Sequence, residues 1–121
     1  ILKKNTHSET SREILAVLSA DILKNGNLIK IIKTKEGSQL ALEIFTMASE
    51  TSTLQLLQKI SLGPGHDTYI NFNGASTNLA LDDVDGDHRA EIIAPSLDLN
   101  FSPRLNVFRY SDNLNLFEST K

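Results

Sequence analysis

Asp83-Val84-Asp85-Gly86-Asp87-His88-Arg89-Ala90-Glu91-Ile92-Ile93 sets acidic side chains at alternate positions and then passes without interruption into an apolar, β-branched run. The spacing predicts a calcium loop feeding a β-strand. A hard cation takes about six to eight oxygens at roughly 2.3–2.6 Å. Carboxylates at relative positions 1, 3, 5 and 9 of a tight loop can converge on one point. Without a cation, Asp83, Asp85, Asp87 and Glu91 repel one another by roughly 1 kcal/mol or more per pair at a surface dielectric. An EF-hand would need flanking helices and a Glu at loop position 12. Position 12 here is Ala94, and Pro95 disfavours helical geometry at that residue.

The chain around this loop has 121 residues and a mass of 13.4 kDa, with 40% hydrophobic residues, which suits one small ordered domain or a piece of a larger one. No apolar run approaches the roughly 20 residues of a membrane-spanning helix. A formal charge of −3 and a pI near 5.5, with no clustering of Lys or Arg, argue against a nucleic-acid partner. The absence of Cys removes disulfides, thiolate zinc sites and Cys nucleophiles together. A chain that opens on Ile1 is expected to be processed, cleaved or part of something longer, so a missing signal peptide says nothing about secretion.

Two segments run in parallel on either side of Gly63-Pro64-Gly65, at an offset near 62 residues. Asp21 falls opposite Asp83, Leu42-Glu43-Ile44-Phe45 opposite Leu105-Asn106-Val107-Phe108, and Leu54-Gln55-Leu56-Leu57 opposite Leu114-Asn115-Leu116-Phe117. Within the pieces the apolar period is two, or the run is short and continuous, and both patterns predict strands. Turn chemistry separates them at Lys24-Asn25-Gly26-Asn27, Glu36-Gly37-Ser38 and Ser111-Asp112-Asn113. A four-stranded unit recurring in this way predicts β-propeller blades. The expected organisation is a polar lead-in over 1–11, a first blade over 12–62, a connection over 63–75 and a second blade over 76–121. Two blades cannot close a ring, so further blades, from the same or another chain, are the expected partners.

Phe72-Asn73-Gly74-Ala75-Ser76, the acidic loop and Ile93-Ala94-Pro95 together resemble the FG-GAP repeat of integrin α-subunit propellers and the related VCBS-type repeats. The resemblance covers the second unit well and the first poorly. Asn73 splits the Phe-Gly pair, Ile93 replaces the first residue of Gly-Ala-Pro, and His88 stands where the family has Gly, at a position that often needs left-handed backbone. The resemblance implies one structural Ca2+ held by the side chains of Asp83, Asp85, Asp87 and Glu91 and by the backbone carbonyl of Arg89. Strand alternation directs Asp82 away from that set. The matching loop of the first unit keeps Asp21, Asn25, Gly26 and Asn27. It has Leu23 in place of the second ligand and no acid at the last position, so it is expected to hold itself by turn hydrogen bonds without an ion.

Catalytic constellations are absent from the sequence. No Ser lies in a Gly-x-Ser-x-Gly setting, and Gly63-Pro64-Gly65 is not followed by the helix that a phosphate loop requires. His66-Asp67 reads as a loop-surface pair and His7 as part of the polar lead-in. The acidic pairs Asp82/Asp83 and Asp112/Glu118 have no fixed separation. Phe45 and Phe108, at equivalent positions, are expected to pack between blades. Tyr69, Phe72 and Phe101 are expected in connections, where an aromatic ring packs or stacks on sugar. The expected function is a non-enzymatic interaction or scaffold module of a calcium-stabilised propeller, extracellular, periplasmic or at the cell surface. The alternative is a carbohydrate-binding or enzyme-associated propeller domain.

Overall fold

The computed structural model describes residues 11–47 and 53–120; the predicted lead-in up to residue 10, with His7, lies outside them. Among the described residues the chain is all-β, with eleven strands in antiparallel sheets and no helix. The first sheet is a meander of β1 (Arg12–Ala20), β2 (Leu28–Glu36), β3 (Gln39–Met47) and β4 (Gln55–Pro64), each beside the next. β2 is rich in Ile and bounded by Asn-Gly and Glu-Gly turns, a composition that suits a strand covered on both faces. Ile29, Ile31, Ile32, Lys33 and Thr34 are accordingly all buried.

The second sheet contains β5 (His66–Asp67), β8 (Ala80–Asp82), β9 (Glu91–Leu97), β10 (Pro103–Ser111) and β11 (Leu116–Ser119). β8 lies opposite Glu91–Ile93 of β9 and β5 lies opposite Ser96 and Leu97, so the two short strands share one edge as an interrupted first strand. Between them the chain detours into a separate hairpin of β6 (Ile70–Phe72) and β7 (Ala75–Thr77). Its two-residue tip, Asn73 at φ 53° and Gly74 at φ 83°, places both central residues in left-handed backbone, as a type I′ turn requires. Asn73 therefore interrupts Phe72 and Gly74 because an Asn-Gly pair makes this turn.

The registers of the two sheets match. Leu18, Ser19 and Ala20 of β1 face Ile31, Lys30 and Ile29 of β2, while Ala80, Leu81 and Asp82 of β8 face Ile93, Ile92 and Glu91 of β9, each residue displaced by 62 positions. On the third strands, Lys30 faces Phe45 and Ile92 faces Phe108. On the fourth strands the sequence matching needs correction. Phe45 faces Leu56 and Phe108 faces Ser119, so Leu56 corresponds to Ser119 and not to Leu116. Alignment of the Leu-x-Leu patterns could not anticipate the bulge between Ile44 and Phe45, which shifts the β3–β4 register.

One core joins the sheets. Ile29, Ile31, Leu42 and Ile44 of the first pack with Ile92, Ala94, Phe108 and Phe117 of the second. Directly opposed residues share a face and successive residues alternate. The first sheet thus contributes the face of Ile29 and Ile31, and the second the face of Ile92 and Ala94. The positions that correspond to Ile29 and Ile31 are Glu91 and Ile93, on the far side of the second sheet. The sheets therefore stack front to back, with the same order of strands. Gln58 of β4 closes the outer edge, donating from Nε2 to the Phe117 carbonyl and accepting the Phe117 N–H at Oε1, both at 2.8 Å.

Candidate metal centre

The loop from residue 83 to residue 90 joins β8 to β9 and is shaped by its own carboxylates. Asp83 Oδ1 accepts the N–H groups of Gly86 at 2.8 Å and Asp87 at 3.1 Å, and Oδ2 accepts that of His88 at 2.8 Å. Asp85 Oδ1 accepts from Asp87 at 3.1 Å, and Asp87 Oδ1 accepts from Arg89 at 2.9 Å. These bonds wind the chain through left-handed backbone at Gly86 (φ 80°) and His88 (φ 70°). The conformation expected of His88 is thus adopted, at a steric cost that His tolerates better than most residues.

The winding brings together Asp83, Asp85, Asp87 and Glu91, each offering a carboxylate oxygen within 4.8 Å of the others. Asp85 and Asp87 are exposed, whereas Glu91, the first residue of β9, is fully buried at 0% relative exposure. Its Oε1 accepts the Val84 N–H at 2.7 Å, and its Oε2 is buried without a hydrogen-bond partner. Burial, followed by the charges of Asp85 and Asp87, raises the Glu91 carboxyl above its ordinary range, against the pull of the Val84 N–H. At Asp83 desolvation opposes ionisation, but the N–H groups of His88, Gly86 and Asp87 help outweigh it and hold the carboxyl below its ordinary value. An all-oxygen donor set of this kind suits a hard cation; it lacks the imidazole or thiolate that softer metals favour.

Asp82 is exposed and lies outside the group. The Arg89 side chain turns to Asp112, with Nη1 3.0 Å from both carboxylate oxygens and the guanidinium carbon 5.7 Å from the Tyr110 ring centroid. Arg109 sits 3.8 Å from Asp85 Oδ2 and brings an exposed cation to the rim of the loop.

The loop after β1 has the same frame. Asp21 Oδ1 accepts the N–H of Asn25 at 3.0 Å, Oδ2 accepts that of Gly26 at 2.9 Å, and Asn25 Oδ1 accepts that of Asn27 at 3.0 Å. The offsets of four, five and two residues recur at Asp83 and Asp87, and the left-handed residues fall at the same places, Lys24 (φ 61°) with Gly86 and Gly26 (φ 86°) with His88. This frame carries Leu23 where the other has Asp85 and the core residue Ile29 where the other has Glu91. Backbone N–H groups satisfy Asp21, in the turn hydrogen bonds expected of these residues.

Sequence reading missed Lys33. Its side chain is wholly buried at 0% exposure, and its ammonium meets Asp67 Oδ1 at 2.7 Å, the Asn78 carbonyl at 2.7 Å and the Pro95 carbonyl at 2.6 Å. Asn78 in turn donates to Asp67 Oδ2 at 2.9 Å and to the Leu15 carbonyl at 3.0 Å. The site is the gap between β5 and β8, where that edge of β9 has no paired strand, and the lysine takes the Pro95 carbonyl in its place. The gap also corrects the reading of His66-Asp67: Asp67 is a partner of a buried cation, and His66 stacks on Phe101 at 4.4 Å between centroids and 4° between planes. The signal was available, since alternation from Ile29 and Ile31 puts Lys33 on the core face.

Comparison of the chain with family models, characterised proteins and solved structures yields no match.

Proposed function

We propose that the protein is a non-catalytic interaction or scaffold module of the β-propeller type, built of two four-stranded blades and stabilised by one calcium ion. The observation that carries the metal is the Glu91 side chain, fully buried with Oε2 unpartnered and facing three further carboxylates. Burying an unpaired carboxylate costs several kcal/mol, roughly, unless a cation or proton joins it. Calcium fits better than magnesium because it accepts many oxygens in irregular geometry, whereas magnesium keeps its waters and demands a regular octahedron. The blade reading draws on the front-to-back stacking of two meanders with matched registers, an arrangement that a further unit of the same kind can extend. A working place outside the cell follows from calcium supply, since extracellular levels saturate even a weak site.

Isothermal titration of metal-stripped protein tests the site. One calcium per chain is expected, lost in Asp85→Ala, with magnesium binding far more weakly; no binding of either ion would remove the basis of this reading. The carbohydrate-binding alternative draws on Tyr69 and Phe101, whose exposures of 60% and 65% leave ring surface open to a sugar.

A further inference from the structure

We infer that residues 68–77 are an insert which the fold carries without needing it, latched at its base by the buried Lys33, and that this hairpin opens as a unit while both sheets stay folded. The matched registers locate the insert. In the first sheet Ile14 faces Thr34 and Ala16 faces Lys33, with Leu15 bulged out between them. In the second sheet Asp67 faces Ser96, the counterpart of Thr34, while Asn78 and Pro95 are the counterparts of Ala16 and Lys33. Residues 68–77 thus stand in the second unit where the first has only Leu15. A bulge already lets one strand carry a residue outside the ladder. Here the same place carries a hairpin. The two irregularities touch, since Asn78 Nδ2 donates to the Leu15 carbonyl at 3.0 Å.

The second sheet is satisfied without the insert. In a strand the N–H and C=O of one residue point to the same side, so Pro95 is the residue whose backbone looks into the gap between β5 and β8. Proline has no N–H to leave unpaired, and its carbonyl is taken by Lys33 at 2.6 Å. The hairpin itself adds little to the core. β6 and β7 pair only with each other, and none of residues 68–77 is buried. A lone two-stranded hairpin is marginally stable in water. Its base is what fastens it: Asn78, at 7% exposure, bridges to Asp67 Oδ2 at 2.9 Å, and Lys33 draws in Asp67 Oδ1 and the Asn78 carbonyl, both at 2.7 Å. Opening returns the ammonium and the carboxylate to water, which offsets part of the bonds lost.

Native-state hydrogen exchange of the full chain, read by NMR, tests the inference. The amides of Phe72 and Ala75, paired in the hairpin, should exchange roughly a hundredfold faster or more than those of the core residues Ile31 and Leu42. Low concentrations of urea should barely promote the hairpin's exchange, because its opening exposes little surface. Equal exchange free energies and equal urea dependence at the two sets would overturn the inference, since the hairpin would then open only when the sheets unfold. Trace labelling of amines with acetic anhydride reads the latch itself. Lys33 should react with the urea dependence of the hairpin amides; reaction with that of the core amides would remove it as the latch. Asn78→Ala should speed hairpin exchange by the factor by which it shifts global unfolding, because its bonds at the base are lost in both events. Hairpin exchange unchanged by that substitution would count against the base as the fastening. A chain in which one Leu replaces residues 68–77 should still fold and unfold cooperatively by circular dichroism, and an unfolded chain would show that the sheets need the insert. None of these readouts involves the ion, so the metal reading stands or falls separately.

Discussion

Among the described residues Glu91 and Lys33 are the buried charged side chains, and they are accommodated differently. Lys33 finds a carboxylate and two carbonyls, and although burial lowers its pKa against the pull of Asp67, every contact it makes is favourable. Lys33→Met removes the cation and strands Asp67 and two carbonyls, so it is expected to cost about 3–5 kcal/mol in urea unfolding. Glu91 accepts one N–H, from Val84, and keeps one oxygen without a partner. Asp85→Ala leaves that residue in place and removes an exposed neighbour, so the metal-free melting temperature should hold or rise while the calcium-dependent increment disappears. Thermal melts with chelator and with calcium check both halves. The acidic residues were legible from spacing alone because a loop that collects ligands must space them. The place of Lys33 on the core face was legible from alternation, but its pairing was not, because Asp67, Asn78 and Pro95 are distant in sequence and only the strand break brings them to it.

Strands were legible as elements because a two-residue apolar period leaves little choice of structure, and the matched loops at Asp21 and Asp83 were legible from their Asp, Asn and Gly residues. The split of one strand into β5 and β8 was hidden, since the two pieces have two and three residues and carry no periodicity of their own. The β6–β7 hairpin between them depends on its tip. Gly74→Val places a β-branched residue at φ 83°, and a loss of about 1–2 kcal/mol is expected in chemical unfolding. On the first sheet, the hydrogen bond from Arg12, aided by its charge and by Lys59, holds the Glu43 carboxyl below its ordinary value of 4.5 despite partial desolvation. A depressed carboxyl stabilises the fold above its unfolded pKa and loses that contribution as pH falls through the folded value. Glu43→Gln should therefore lower stability at neutral pH and flatten its fall in acid below pH 4.5, measured as melting temperature against pH.

Two sheets of the same connectivity, stacked in the same sense around one core, give the molecule its form, and the loops that open β2 and β9 sit in the same frame on each. At this scale the proposed ion acts structurally, neutralising the carboxylates where β9 begins and so fixing the strand that receives Lys33 from the neighbouring sheet. Binding stabilises a fold by RT ln(1 + [L]/Kd), about 2.7 kcal/mol at a hundredfold excess over Kd. For a domain of this size that corresponds to a melting shift on the order of 10 °C. The stacking itself was not legible in the sequence, because alternation tells which residues share a face but not which face meets which sheet. The most direct test is the melting temperature of the unsubstituted chain in chelator and in millimolar calcium. A rise on the order of 10 °C with calcium, absent in Asp85→Ala, is the predicted result. Identical melting in the two solutions would contradict it.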